Sequence, residues 1–450
     1  MNKILLKNAA VLTMDNSGTV LRDGFVLIEG DSIVMVGPMQ DAPPVCEADE
    51  LRVLDCKDKI VMPGMVNCHC HMSMIAYRSL ADDVPDRLNR FMLPLEARTM
   101  SEELVRHGTY YACAEMLLSG ITTIIDHGNL VLTQAEAVAD IGIRGVISET
   151  ITSANFDASF ARTKKLLEKW SGHSLVIPSV TCHAPYSVSG EHMQASHRLA
   201  REYDALMQMH LAEMVYEMRE SREKYGASPV ERLDRLGILD EKFLAAHACL
   251  ASLEDLDIFA GRGVKVSYDP GANTKAAKDI APVVDMQARG ITVGLGTDGP
   301  MSNNALNVLS QMSLAARCQK LKYKDRSAFA CEHVVRMGTI EGAKAAGIGR
   351  LTGSLEPGKK ADVVILETDS PNMAPIYDYY GAIVYSANAS NVESTIVNGR
   401  LVVHNKQLLT KDMASLKSNL LSFHTDISST ADDLFREMAQ KFDMTQKLNY

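Results

Sequence analysis

VMPGMVNCHCH, residues 61–71, decides the fold of this 450-residue chain, because it joins an apolar run typical of a β-strand to two histidines one residue apart. Alternation along a strand sends the side chains of His69 and His71 to the same side. Neutral imidazole is the commonest protein ligand for Zn²⁺ and similar ions, so this pair forms half of a metal site. By itself the motif also fits a plain histidine pair in a core or on a surface, and the rest of the chain must decide.

Seven further apolar runs follow this strand, and stretches with helical spacing separate them. The runs are GITTIIDH (120–127), IRGVISE (143–149), LVIPSVTCHAP (175–185), LMQMHLAE (206–213), FLAAHA (243–248), VKVSYDP (264–270) and ITVGLGTDG (291–299). Eight strands that alternate with helices are what a closed parallel barrel requires. We therefore predict an α/β protein whose residues 59–350 form a (β/α)8 TIM-type barrel.

The two ends of the chain have a different pattern. Residues 1–58 and 351–412 alternate between apolar and polar residues, with Gly and Asp at the turns, as in GFVLIEGD and VESTIVNGRLVVHN. Such a pattern indicates short antiparallel strands. We predict that both ends together build one small β-sandwich beside the barrel, and that residues 413–450, with helical spacing at Leu416, Leu420 and Leu434, form a C-terminal helical appendage.

Composition narrows the classes of function. A formal charge of −10, without runs of Lys or Arg, argues against nucleic acid and anionic lipid as partners. The nine cysteines are scattered without a CxxC motif, which indicates neither a disulfide framework nor a zinc ribbon and fits a reducing cytoplasm. No window approaches 18 uninterrupted apolar residues, so we expect a soluble cytoplasmic protein without a membrane span.

Polar side chains end five of the eight predicted strands, where the active site of such a barrel lies. They are His69 and His71 on the first strand, His183 on the fourth, His210 with Glu213 on the fifth, His247 on the sixth and Asp298 on the eighth. A metal centre needs three or four nitrogen and oxygen ligands that converge while one position stays open for water. We predict that His69, His71, His210 and Asp298 are these ligands.

The remaining strand-end residues suit proton transfer. Asp298 can take a proton from the attacking water, and Glu213 can protonate a ring nitrogen or a leaving amine. His247 would orient the water or stabilise developing charge. Cys68, Cys70 and Cys182 alternate with these histidines along the strands. Successive side chains of a strand point to opposite faces, so we expect these thiols to face the helices and to pack there. His127 ends the second strand and either lines the mouth of the barrel or supports a ligand.

Several motifs together resemble the amidohydrolase superfamily over nearly the whole chain. They are PGMVNCHCHMSM (63–74), AEMLLSGITTIID (114–126), HAPYSVS (183–189), MHLAE (209–213), AAHA (245–248), GLGTDGPMSNN (294–304) and LEPGKKADVVIL (355–366). Their order is similar to the mononuclear aminohydrolases of heterocycles, a branch that includes methylthioadenosine/S-adenosylhomocysteine deaminases, guanine deaminases and triazine hydrolases.

This resemblance implies a role for each residue that matches a family motif. It makes His69, His71, His210 and Asp298 the metal ligands, Glu213 the proton shuttle and His247 the residue beside the attacking water. His183 becomes a substrate contact. The fourth-strand lysine that bridges two metals in other branches has no counterpart in VTCHAP, so the resemblance implies one divalent ion, Zn²⁺ or Fe²⁺.

The departures from the family concern the substrate. Glu96 in FMLPLEARTM matches the acid that holds ribose hydroxyls in nucleoside-acting relatives. The tryptophan that stacks on the base in those relatives falls near Arg87 here, and the arginine after their third strand matches Glu149. Base stacking and carboxylate pairing supply much of such recognition, so the substrate class stays open.

The sequence thus predicts an EC 3.5.4-like hydrolase that converts the exocyclic amino group of a purine or nucleoside, pterin, pyrimidine or triazine into a carbonyl and releases ammonia. Hydrolysis of a cyclic amide or a chlorotriazine is the nearest enzymatic alternative. A metal-free binding protein on the same fold is an alternative of another class. We expect a small aminoheterocycle as partner and a homo-oligomer, a dimer or larger, as the assembly.

Overall fold

The computed structural model describes residues 3–44 and 51–441. Its strands, in chain order, are β1 (Lys3–Leu12), β2 (Val20–Glu29), β3 (Ser32–Pro38), β4 (Leu51–Asp55), β5 (Lys59–Pro63), β6 (Met65–Cys70), β7 (Ile121–Gly128), β8 (Arg144–Ile151), β9 (Val176–Pro178), β10 (Val180–Cys182), β11 (Met207–Leu211), β12 (Phe243–His247), β13 (Lys265–Tyr268), β14 (Val293–Leu295), β15 (Val363–Glu367), β16 (Val392–Val397), β17 (Arg400–His404) and β18 (Gln407–Leu408).

The α-helices lie mainly between the barrel strands and after them. They are α1 (Leu93–Thr99), α2 (Glu102–Leu118), α3 (Val131–Ile141), α4 (Phe156–Trp170), α5 (Gly190–Glu202), α6 (Val215–Tyr225), α7 (Pro229–Arg235), α8 (Leu253–Arg262), α9 (Pro270–Lys275), α10 (Val283–Ala288), α11 (Val308–Tyr323), α12 (Cys331–Met337), α13 (Ile340–Ala345), α14 (Tyr379–Tyr385), α15 (Met413–Leu421) and α16 (His424–Lys441). A π-helical turn, Leu88–Met92, leads into α1.

The central body is the predicted parallel barrel. Its strands follow the order β6, β7, β8, β10, β11, β12, β13, β14, and β9 pairs with β8 as the first segment of the fourth strand. Every residue of β6, β7, β11 and β12 is buried, as expected for parallel strands that helices cover on the outside. The backbone N–H groups of Thr297 and Asp298 donate to the carbonyl of His69 at 3.1 and 2.9 Å, which ties the eighth strand to the first.

Both chain ends build the second sheet, as predicted. Its order is β18, β17, β16, β15, β5, β1, β2, β3, and β4 pairs with β1. The prediction of purely antiparallel strands was wrong, because β1 pairs in parallel with β4 and β5. Strand Lys59–Pro63, which the predicted boundary assigns to the barrel, pairs instead with β1 and β15 of this sheet. The other boundaries, at residues 350/351 and 412/413, stay a prediction.

A buried ion pair and helix packing join the parts of the molecule. Arg144 at the start of β8 forms a fully buried ion pair with Asp362, which precedes β15 of the small sheet. At the C-terminal end, α15 packs on α2 and α16 packs on α1 and on the π-helical turn. The predicted helical appendage is therefore helical as far as residue 441 and lies against its own barrel, while residues 442–450 lie outside the described part.

In the described part of the chain, no helix combines the length and the apolar character that crossing a bilayer requires.

Candidate metal centre and active site

Three histidines and one aspartate converge at the mouth of the barrel. His69 lies in β6 and His71 directly follows it, His210 lies in β11, and Asp298 follows β14. Asp298 Oδ1 lies 3.5 Å from His69 Nε2 and 3.3 Å from His71 Nε2, and the Nε2 atoms of His71 and His210 are 3.3 Å apart. Donor atoms that each sit about 2 Å from one tetrahedral ion are about 3.3 Å from one another, so the spacing fits a single cation.

Backbone carbonyls orient two of these imidazoles. His71 Nδ1 donates to the carbonyl of His127 at 2.8 Å, and His210 Nδ1 donates to the carbonyl of His183 at 2.8 Å. Because Nδ1 carries the proton in each ring, the lone pair of Nε2 is free to bind a metal. The two ring nitrogens of His69 have no hydrogen-bond partner among the described residues, although they are buried. A ligand outside the protein is what such an orphaned donor set requires.

Burial also keeps these rings neutral. It lowers the pKa of His69 well below its usual range and lowers the pKa of His71 and His210. Burial alone would raise the pKa of Asp298, but the nearby rings of His69, His247 and His71 outweigh it and hold that pKa well below its usual range. Neutral imidazoles and an ionised carboxylate are the protonation states that metal binding needs.

Glu213 and His247 lie beside this cluster. The distance from Glu213 Oε1 to His247 Nε2 is 3.5 Å, and the ring of His247 is 5.4 Å from that of His210. His247 Nδ1 lies 3.0 Å from Asn273 Oδ1, and its backbone N–H donates to Asp269 at 3.1 Å. These bonds leave the buried Nε2 of His247 directed at the carboxylate of Glu213.

The two predicted substrate residues lie in different surroundings. The ring of His183 is 5.1 Å from that of His210, its Nδ1 bonds the hydroxyl of Ser187, and burial lowers its pKa to about 3. Glu96 lies on α1 and is buried, with no partner for its Oε1 among the described residues. Burial raises the pKa of Glu96 to about 7.

The cysteine thiols next to the histidines face away from the centre. Cys68 Sγ lies 3.6 Å from the carbonyl of Gly342, and Cys70 Sγ lies 3.5 Å from a carboxylate oxygen of Asp126. Cys182 is buried, and burial raises its pKa to about 12. These thiols pack toward the helices, which is the arrangement that alternation along a strand predicts.

The structure also shows residues to which the sequence assigned no fixed role. The ring of His127 lies 4.6 Å from those of His69 and His210, and neither of its nitrogens has a partner among the described residues. One nitrogen of His127 lies within 4.8 Å of ligand atoms of His69, His71 and His210. In the sequence, the position of His127 at the end of the second barrel strand could have identified it as a residue of the site.

Lys278 had no signal of this kind. Its Nζ contacts the Glu213 carboxylate, although this lysine lies in a loop far along the chain, and no spacing in the sequence points to this contact. Asp269 had the same kind of signal as His127, because it directly follows the seventh barrel strand, β13. Burial raises the pKa of Asp269 well above the usual value.

The two departures from nucleoside-acting relatives have structural partners. Arg87 Nε donates to the carbonyl of Leu80 at 2.8 Å, and the guanidinium pairs with Asp82. Glu149 accepts from the backbone N–H of Val131 and from Arg162. Both side chains therefore hold neighbouring loops and helices together.

A barrel with a histidine-rich centre of this geometry defines a metal-dependent hydrolase. The amidohydrolase family model matches residues 60–402, and the chain belongs to this family. A 5-methylthioadenosine/S-adenosylhomocysteine deaminase 1 from Syntrophus aciditrophicus is 36% identical over 414 residues, which cover 90% of this chain and 93% of the relative. A 5-methylthioadenosine/S-adenosylhomocysteine deaminase from Thermoanaerobacter pseudethanolicus is 35% identical and covers 93% of this chain and 97% of its own length.

Solved structures agree with this assignment. An adenosine deaminase from Xanthomonas campestris with bound zinc superposes with a TM-score of 0.92 at 30% identity, over 95% of this chain and 99% of that one. A triazine hydrolase, at 22% identity and a TM-score of 0.87, covers 94% of this chain and 100% of its own and shares the fold. The protein is thus a metal-dependent hydrolytic deaminase of the amidohydrolase family, an enzyme that acts on C–N bonds other than peptide bonds.

Proposed function

We propose that this enzyme deaminates an aminopurine nucleoside, replacing the exocyclic amino group by a carbonyl and releasing ammonia. The observation that carries the proposal is the convergence of His69, His71, His210 and Asp298, with Glu213 and His247 beside them. The relatives named as methylthioadenosine/S-adenosylhomocysteine deaminases, and the zinc-bound adenosine deaminase, support an adenosine-type substrate.

The four converging residues would hold one divalent ion, Zn²⁺ first and Fe²⁺ second. Three neutral imidazoles and a carboxylate form a nitrogen and oxygen donor set that both ions accept. When bound, such an ion supplies Lewis acidity that lowers the pKa of a water molecule. The zinc in the Xanthomonas campestris relative supports the first choice.

The protein side chains then move the protons. Asp298 accepts one proton of the attacking water and passes it to the leaving amine, while Glu213 takes the other and delivers it to the ring nitrogen next to the reacting carbon. A C–O bond forms, the C–N bond breaks, and ammonia leaves. His247, whose Nε2 faces Glu213 at 3.5 Å, hydrogen-bonds the water and sets its direction.

Two residues are assigned to the substrate. We assign His183 to the heterocycle, since its ring borders that of His210. We assign Glu96 to the ribose hydroxyls, because its buried Oε1 lacks a partner among the described residues and a hydroxyl donor would satisfy it.

The test is metal analysis of the purified protein, followed by an ammonia-release assay with adenosine, 5-methylthioadenosine, S-adenosylhomocysteine, guanine, pterin and aminotriazines. We expect about one metal ion per chain, loss of activity on chelation, and the highest kcat/KM with a nucleoside. A ring-opened product without free ammonia, or a metal-free protein without turnover, would contradict the proposal.

The assembly and location belong to the same proposal. We propose a homo-oligomer, a dimer or larger, in the cytoplasm, where buried unpaired thiols such as those of Cys68, Cys70 and Cys182 stay reduced. Light scattering of the purified protein and cell fractionation test these two points.

A further inference from the structure

Lys278 is a charged residue at the active site that the proposed mechanism does not use. It follows α9, and its backbone N–H donates to the carbonyl of Asn273 at 2.8 Å. This turn brings the Lys278 Nζ onto Oε1 of Glu213, the oxygen that also faces His247. The side chains of Lys278 and Glu213 are only 18% and 11% exposed, so the contact lies largely away from water.

The two neighbours of Glu213 Oε1 differ in charge. His247 is buried, and burial lowers its pKa, so its imidazole is neutral at neutral pH. Lys278 keeps a full positive charge, because the attraction of Glu213 and Asp298 outweighs burial and raises its pKa. Lys278 is therefore the cation that compensates the Glu213 carboxylate.

Compensation matters because a buried carboxyl group otherwise tends to take up a proton. Burial alone would raise the pKa of Glu213; because the His247 ring is neutral, the positive charge of Lys278 is the main attraction that opposes burial, and the pKa of Glu213 lies well below its usual range. A carboxylate that waits in the ionised form can accept a proton from water at the start of the reaction. A carboxylate held through one oxygen also keeps a fixed direction, which proton transfer within a bound complex requires.

We propose that Lys278 is a positioning residue that holds Glu213 in the place and direction of the proton shuttle. Lys278 keeps its own protons throughout, and it acts on the substrate only through Glu213. This inference rests on the proposed function, since it assigns a partner to the same proton shuttle.

Other titratable groups also face Glu213, and they set the background for any pH effect. They are His71, His183, Tyr186, His210, Tyr216, Glu217, His247, Cys249, Asp269 and Asp298. The substitutions below leave all of them in place, so a change in the pH profile reports the lysine.

The experiment is a double-mutant cycle on the metal-loaded enzyme with the best nucleoside of the screen. We expect Lys278→Met to lower kcat by roughly ten- to a hundredfold, with KM changed less than about threefold. In the Glu213→Gln background the same substitution should change kcat less than about twofold, because the group through which it acts is already gone. Lys278→Arg should restore most of the rate.

The pH profile gives a second readout. Removal of the cation raises the pKa of Glu213, so the acid limb of kcat/KM should move to higher pH in Lys278→Met and stay in place in Lys278→Arg. Lys275→Met is the matched control, because this lysine lies just before the same turn but pairs with Asp82 and Asn304. We expect wild-type kinetics from it.

The outcomes separate two failures. A wild-type enzyme that releases no ammonia from any compound of the screen overturns the proposed function. Suppose instead that the wild type is active. The role of Lys278 is then overturned if Lys278→Met lowers kcat by the same factor in the wild-type and Glu213→Gln backgrounds. It is also overturned if Lys278→Met leaves both kcat and the acid limb of kcat/KM unchanged. Melting temperatures check folding, and Lys278→Gln replaces the methionine variant should that one not fold.

Discussion

Asp298 combines backbone strain with charge at a single residue. Its φ is 58°, a left-handed conformation that non-glycine residues rarely adopt, and His247 has a φ of 71°. Such strain persists only where the surroundings fix it, and here the backbone N–H of Asp298 bonds the carbonyl of His69 at 2.9 Å. The strained turn places the carboxylate between two imidazoles, where it can serve both a cation and a proton.

Asp298→Asn should therefore keep the fold and lose turnover by about three orders of magnitude or more, because an amide neither accepts the proton nor offers a negative charge. Ammonia release measures the rate, and circular dichroism checks the fold. Asp279→Asn is the control, since that carboxylate is 59% exposed and pairs with Lys322. Turnover near the wild-type rate in Asp298→Asn would remove this residue from the mechanism.

Glu96 predicts a pH dependence of substrate binding. Burial raises its pKa to about 7, so the group is protonated below that pH and ionised above it. The carboxylate accepts hydrogen bonds from ribose hydroxyls more strongly than the neutral acid does. KM for a nucleoside should therefore fall as the pH rises through about 7, and Glu96→Gln should remove this change. The free base, which has no ribose, is the control substrate and should show no such trend.

At the scale of elements, the turn between β11 and α6 positions two site residues. The carboxylate of Glu217 accepts three backbone N–H groups, from Ala212, Glu213 and Met214, at 2.8, 2.9 and 3.2 Å. Ala212 adopts a φ of 52°, so the turn leaves β11 sharply. A side chain on the first turn of α6 therefore fixes the backbone that carries Glu213.

Glu217→Ala should lower the free energy of unfolding by about 2 kcal/mol, because three backbone N–H groups near the core lose their acceptor. It should also lower kcat, since Glu213 loses its fixed backbone. Urea denaturation and the ammonia assay measure the two effects. Glu220→Ala on the exposed side of the same helix is the control, and equal effects of both variants would contradict this role.

The strands and helices were predictable, because the spacing of apolar residues and the turn residues determine them from neighbouring positions in the sequence. Eight apolar runs gave the eight strands of the barrel, with the fourth divided at Ser179 into β9 and β10. The parallel pairing of β1 with β4 and β5 was not predictable, because alternation shows which side of a strand is buried and not which strand lies beside it.

At the scale of the whole molecule, the barrel and the small sheet share a buried ion pair. Arg144 Nε and Nη2 donate to the two carboxylate oxygens of Asp362 at 3.0 and 3.1 Å, and the backbone N–H of Asn398 also donates to Asp362 at 2.7 Å. Removal of one partner of such a pair leaves a buried charge without compensation.

Arg144→Met should thus destabilise the protein by about 3–5 kcal/mol and leave kcat of the folded fraction close to wild type, because the pair is part of the junction and not of the site. Urea denaturation gives the free energy of unfolding. Arg289→Met, which breaks the surface pair with Asp257, should cost less than about 1 kcal/mol. Similar losses in the two variants would show that the buried pair does not stabilise the junction.

The sequence by itself determined the barrel, the joint sheet from both chain ends and the positions of His69, His71, His210, Glu213, His247 and Asp298 at strand ends. These follow from local periodicity together with the rule that parallel strands present their carboxyl ends at one mouth. Only the tertiary structure brought Lys278 onto Glu213, Asp269 to His247 and His127 into the histidine cluster. Contacts between loops and strand ends depend on where the chain turns in space, and no repeat in the sequence encodes that path.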